Sequence, residues 1–135
     1  MTAETTSDQQ VFYPILRYRN AADALEWLEA AFGFSTIDVH RSEDGGIVHA
    51  EVGYGDGIVM VSDEPQGGDP DHGEHAGRGW VYIVTDQPDA LFERATGAGA
   101  EVVRPIGDED YGSRDFSVRD PEGNIWSFGT YGPER

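Results

Sequence analysis

Apolar residues recur along this chain at two different periods, and the order of the periods itself repeats. The apolar runs FYPILRYR (residues 12–19) and GWVYIVT (residues 79–85) suit strands. Helical spacing follows each run: Ala24, Leu25, Trp27, Leu28, Ala31 and Phe32 in the first case, and more weakly Ala90, Leu91, Arg94 and Ala95 in the second. Asn20 marks the first helix start, and Asp86 with Pro88 just inside marks the second; Gly33 and the Gly97/Gly99 pair mark the stops. Three further strands are predicted after each helix, at about 34–41, 47–53 and 58–62, then at about 100–104, 113–119 and 124–129. Gly45-Gly46, Gly55-Asp56-Gly57 and Pro121-Glu122-Gly123 are the hairpin signals between them.

The chain therefore reads as one βαβββ unit used twice, an α+β fold. An offset of 66 residues superposes Asp23-Ala24-Leu25 on Asp89-Ala90-Leu91, Gly33 on Gly99, Asn20 on Asp86 and Gly57 on Gly123. The expected layout is a polar, disordered tail over residues 1–10, modules at 11–62 and 79–131 within one structural domain, and a linker at 63–78 rich in Gly, Pro, Asp and His.

Strand alternation assigns faces, one packed on a helix and one lining whatever the sheet curls around. It puts Leu16, Tyr18, Val48, Ala50, Val52, Trp80, Tyr82, Val84, Phe116, Val118, Trp126 and Phe128 under the helices. Tyr13, Ile15, Arg17, Ile47, His49, Glu51, Gly79, Val81, Ile83, Ser113, Asp115, Ser117 and Ser127 then face the other way. That second face mixes apolar residues with a few convergent polar groups, as a small-molecule pocket does and as a solvated sheet also would. His49-Ala50-Glu51 reads either as a cross-strand polar face or as an acid/base or ligand-contacting pair. Arg17 has two readings, an anion contact or a salt bridge to Asp115.

Composition narrows the partners. The net charge of −17 rests on 26 acidic residues against nine arginines and no lysine, and it repels phosphate backbones and anionic membranes. Nucleic acid and membrane are not expected partners. Genome composition, a salty cytoplasm or a site for cationic ligands would each produce such acidity. With no cysteine, disulfides and thiolate metal sites are excluded. No apolar stretch approaches the ~20 residues of a membrane span, and no signal-peptide pattern opens the chain, so a cytoplasmic protein is expected. His72 and His75, three apart among carboxylates, read as a solvated connection, and His40 as a strand-surface residue.

The duplicated βαβββ unit, the opening LRYRNAADALEWLEAAFGF and the closing YGSRDFSVRDPEGNIWSFGTY resemble the vicinal oxygen chelate superfamily. The similarity is to its glyoxalase/bleomycin-resistance-like (PhnB-like) branch and spans about residues 11–131. It implies modules curled around a cup, in many members completed by a homodimer. Metal-dependent members hold a His or Gln in the first strand, a Glu in the fourth, a His in the fifth and a Glu in the eighth. The matching positions here are Tyr13, Met60 or Val61, Gly79 and Ser127, a set that lacks the donors a divalent metal needs.

The expectation is accordingly a metal-free, cofactor-free binding protein that sequesters a drug or metabolite, cationic or aromatic, in a dimeric cup. Its ligand-binding candidates are Tyr13, Arg17, His49, Glu51, Met60, Tyr111, Ser113, Asp115 and Ser127. The alternative is a glyoxalase, lyase or dioxygenase-like enzyme using an atypical metal site or an acid/base pair drawn from His49, Glu51 and Asp115. An interaction module ranks third.

Overall fold

The computed structural model describes residues 10–65 and 75–133. Most of the expected tail, and His72 within the linker, lie outside the described residues. The first module runs β1 (Ile15–Tyr18), α1 (Ala21–Phe32), β2 (Ser35–Arg41), β3 (Ile47–Tyr54) and β4 (Gly57–Asp63). The second runs β5 (Trp80–Val84), α2 (Pro88–Gly97), β6 (Glu101–Asp108), β7 (Arg114–Arg119) and β8 (Ile125–Gly129). Each module folds into a four-stranded sheet, ordered β1-β4-β3-β2 and β5-β8-β7-β6. The first strand of each sheet is parallel to its neighbour and the rest are antiparallel, so the tandem βαβββ repeat is present in the fold.

Local chemistry accounts for the helix ends. Asn20 accepts from the Asp23 N–H and so caps α1, and Gly33 closes the helix in the left-handed conformation at φ 74°. The second start differs from expectation. Gln87 is the cap residue, with no side-chain hydrogen bond, and Pro88 occupies the first turn; Asp86 lies one residue too early to reach the free N–H groups.

The packed face also differs from simple alternation in two strands. In β5, Val81 and Ile83 pack on the core, while Trp80, Tyr82 and Val84 are 72%, 42% and 50% exposed. The parallel register pairs Val81 with Trp126 and Ile83 with Phe128, and paired residues of a parallel ladder share a face. In β3 a register shift opposite His40 and Arg41 makes Val48 an extra residue, so Ile47 turns into the core and Val48 faces solvent. Ala50, Val52, Leu16, Tyr18, Phe116, Val118, Trp126 and Phe128 are buried as alternation predicts.

One core serves the two modules. Phe32, at the end of α1, places its ring 4.8 Å from Phe128 and 5.6 Å from Trp126, and Phe34 lies 5.3 Å from Trp126. The helices pack on each other, with Trp27 Nε1 donating to the Ala98 carbonyl at 2.9 Å and Arg94 Nε donating to the Ala30 carbonyl at 2.9 Å. Near the start of β5 the modules touch closely: a Cβ at Gly79 would lie 2.6 Å from Leu16 Cδ2 and 3.0 Å from Asn124 Oδ1. Gly79 therefore faces the core and not a cup.

Beneath this junction Asp120 is buried and collects four donors. Tyr18 Oη donates to Oδ2 at 2.5 Å and Trp126 Nε1 at 3.0 Å, and the Glu122 and Asn124 amides donate to Oδ1 at 3.0 and 3.1 Å. Burial pushes the Asp120 carboxyl above the usual carboxylate range despite these donors. Burial, then the neighbouring Asp120 charge, raises the Tyr18 hydroxyl's pKa strongly, so Tyr18 stays a donor.

Candidate functional site

The unpacked faces of the two sheets carry the expected site residues in two separate groups. On the first sheet, Met60 stands between Ile15 and Glu51 in the register, with Arg17 beside Ser62. Arg17 does not form the salt bridge to Asp115: its guanidinium donates to Ser62 Oγ at 2.6 Å and weakly to the Asp63 carbonyl at 3.5 Å. A salt bridge to Asp115 is absent because Asp115 belongs to the other sheet and is bound there by Tyr111.

His49 and Glu51, two apart on β3, meet at 3.1 Å with a third of each side chain exposed. Across the ladder His40 and Asp38 form a second such pair at 3.0 Å, and the two imidazoles are 5.7 Å apart. Among the described residues no three His, Asp or Glu side chains converge as a metal site would require. His75 is exposed.

The second sheet offers an aromatic surface over a buried polar base. Asp115 is 6% exposed; its Oδ2 accepts from Tyr111 Oη at 2.8 Å, while Oδ1 is buried without a hydrogen-bond partner among the described residues. The hydrogen bond to Asp115 raises the Tyr111 hydroxyl's pKa, so this proton stays on the tyrosine. Tyr131 stands edge-on to Tyr111 at 5.8 Å and accepts, through its carbonyl, from Tyr82 Oη at 2.7 Å. Ser113 lies in the turn before β7 and is buried, its Oγ accepting from the Tyr131 amide at 3.2 Å. Gly129 lets these groups close in, since a Cβ there would lie 2.5 Å from Tyr82 Oη and 2.7 Å from Asp115 Cβ.

Ser127, at the position matching a metal-binding glutamate, is also committed. It bonds Ser117 Oγ at 2.6 Å and accepts from Trp80 Nε1 at 2.8 Å. The fifth-strand residue that bonds Ser127 is therefore Trp80, while Tyr82 stands opposite it in the register and Gly79 faces the core. An indole N–H donates and has no lone pair for a metal, so Tyr13, Met60, Trp80 and Ser127 do not fit a divalent cation. Sequence reasoning assigned Trp80 to the core because every residue of β5 is apolar or aromatic and alternation there carries no polarity.

A cavity of about 670 Å³ lies at neither group but in the seam between the modules; of the nine ligand-binding candidates only Tyr13 is among its described lining residues. A smaller one of about 270 Å³ lies over Tyr18, Trp27 and Asp120.

Comparison with known proteins sets this geometry in a family. The Glyoxalase/Bleomycin resistance protein/Dioxygenase superfamily matches residues 10–128. The chain belongs to that superfamily. It is 36% identical over 122 residues to the uncharacterised protein Mb0911c of Mycobacterium bovis, an alignment covering 86% of this chain and 80% of that one. The crystal structure of TioX from Micromonospora sp. ML1 superposes with a TM-score of 0.69 at 33% identity, covering 88% of this chain and 98% of TioX. A glyoxalase/bleomycin resistance protein from Catenulispora acidiphila shares the fold, with a TM-score of 0.65 at 18% identity over 90% of this chain and 97% of its own. Among the described residues no helix is long and apolar enough to cross a membrane.

Proposed function

We propose that this superfamily member binds a small molecule without a catalytic metal, enclosing a flat aromatic or cationic guest between its unpacked sheet faces and those of a second copy. The observation that carries this reading is the Trp80 indole hydrogen-bonded to Ser127, where metal-dependent relatives would set a ligand pair. A tryptophan 72% exposed on a sheet face is a stacking platform. Asp115, with Tyr111, Tyr82 and Tyr131 around it, adds a carboxylate and aromatic rings of the kind that attract organic cations. The charge of −17 steers cations toward the protein at low salt.

Dimer formation is part of the proposal. Ile15, Trp80, Tyr82 and Val84 leave apolar surface on the sheet faces that a partner copy would cover. Light scattering at micromolar concentration is expected to give twice the chain mass. Elemental analysis of protein purified without chelator is expected to find far less than one equivalent of zinc, nickel, manganese or iron. A full equivalent, retained on dialysis and released by substituting the residues named here, would refute the metal-free reading.

The 3.1 Å His49–Glu51 contact supports a second reading, general acid–base catalysis on a small oxygenated substrate. Turnover of a hemithioacetal or related compound that survives chelation and is abolished by His49→Ala would favour it.

A further inference from the structure

The seam cavity is walled largely by parts of the molecule that the proposed function does not use, Tyr82 and Val84 excepted. Its floor is the packed side of the two sheets: Phe34, Val52 and Val59 from the first module, Val81 and Ile83 from the second. One wall is the strap of residues 10–14 that precedes β1, and the hairpin at 54–57 forms another. Among the described lining residues, Tyr82 and Val84 are shared with the aromatic face of the second sheet.

The strap is pinned at two points. The Gln10 amide imitates a strand partner of Ile58, donating from Nε2 to its carbonyl at 2.8 Å and accepting its N–H on Oε1 at 2.8 Å. At the other end Pro14 offers its carbonyl to the Met60 N–H at 2.9 Å. Between the pins Phe12 is 87% exposed, an aromatic ring held beside an apolar cavity and left uncovered by the other described residues.

We propose that this cavity is a second ligand site, for a neutral, flat aromatic compound. At about 670 Å³ it falls in the range of sites that hold drug-sized molecules. Among the described residues its lining contains no Arg or His and a single acid, Asp56, so an anion finds no countercharge in them. The Tyr54 and Tyr82 hydroxyls are already bonded, to Thr85 Oγ1 at 2.8 Å and to the Tyr131 carbonyl at 2.7 Å. Apart from the Tyr13 hydroxyl, what remains to recognise a guest is mainly aromatic and aliphatic surface, which selects for shape and apolarity.

N-phenyl-1-naphthylamine, a neutral fluorophore that brightens in apolar sites, is the probe. Titration is expected to saturate at one molecule per chain with Kd on the order of 10 µM. Phe12→Ala, which removes an exposed ring with no packing role, weakens it by about fivefold or more, and Val84→Arg, which places a charge at the mouth, by about tenfold. Gln10→Ala speeds probe dissociation by releasing one pin. Asp115→Asn, away from the cavity, leaves the probe affinity unchanged, so this site and the one under Proposed function fail or survive separately. Unsaturable binding, or affinity indifferent to both Phe12→Ala and Val84→Arg, overturns the proposal. So does binding that vanishes as the protein dimerises, because a second copy would then be the occupant of the cavity.

Discussion

Replacing Asp120 with alanine is expected to lower stability by about 3–5 kcal/mol, because it orphans buried donors that cost about 1–3 kcal/mol each. Tyr18 Oη and Trp126 Nε1 lose their common acceptor, and the turn amides of Glu122 and Asn124 lose theirs. Tyr18→Phe is the milder control, at about 1 kcal/mol, since it removes one donor and leaves the carboxylate three. Urea unfolding of the three proteins at one pH gives the ranking.

The pH dependence has a definite sign. Burial raises the folded pKa of Asp120 above its ordinary 3.8, so the folded protein holds this proton more tightly than the unfolded chain does. The stability from this linkage is fully present below the unfolded pKa and is lost as pH rises through the folded pKa. The gap between wild type and Asp120→Ala is therefore widest in acid and narrows toward neutrality. Asp89 behaves oppositely: its hydrogen bonds from Arg114 lower its pKa, so its contribution is present above 3.8 and lost as pH falls through the folded value. A gap between wild type and Asp120→Ala that instead widens with rising pH would show that the four donors outweigh burial.

Phe32→Ala is the second large effect, again about 3–5 kcal/mol, the range for deleting a buried aromatic ring. Phe32 is 1% exposed and touches four rings, those of Trp27, Phe34, Trp126 and Phe128. Two of the four belong to the other module, so the cavity left behind opens at the joint between them. The expected unfolding curve shifts to lower urea and loses steepness as the modules uncouple. A shift below about 1 kcal/mol would mean that the surrounding rings collapse into the space.

The fold was readable because its two signals were independent. Helical periodicity with caps at Asn20 and Gly33 located α1, and the 66-residue offset carried that assignment to a second module where the pattern was weak. Faces were harder. Alternation succeeds in β7, where Phe116 and Val118 alternate with Asp115 and Ser117, because polarity marks the two sides. In β5 all five residues are apolar or aromatic, so the choice fell to tertiary packing: the slimmer Val81 and Ile83 fit beneath the helices and the rings of Trp80 and Tyr82 turn outward.

The Asp120 network was invisible for a different reason. DPEG is a sound turn signal, and its Gly123 does adopt φ 106°, but no local pattern shows that the aspartate will meet a tyrosine 102 residues away. Likewise Gln10 sits in a polar stretch with no feature that announces its clasp on Ile58. The residues that shape the candidate sites were thus legible where they alternate with apolar neighbours, and hidden where only the joining of the modules gives them partners.

Trp80 supplies the most direct measurement. Trp126 is fully buried and Trp27 is bonded to Ala98, which leaves Trp80 as the exposed indole that reports on the unpacked face. Chelator-treated protein titrated with cationic aromatic antibiotics is predicted to show saturable quenching with one guest or fewer per chain, lost in Trp80→Phe and weakened by about tenfold in Asp115→Asn. Quenching that requires added divalent metal, or that persists unchanged in Asp115→Asn and leaves Trp80→Phe binding as tightly by calorimetry, would contradict the account.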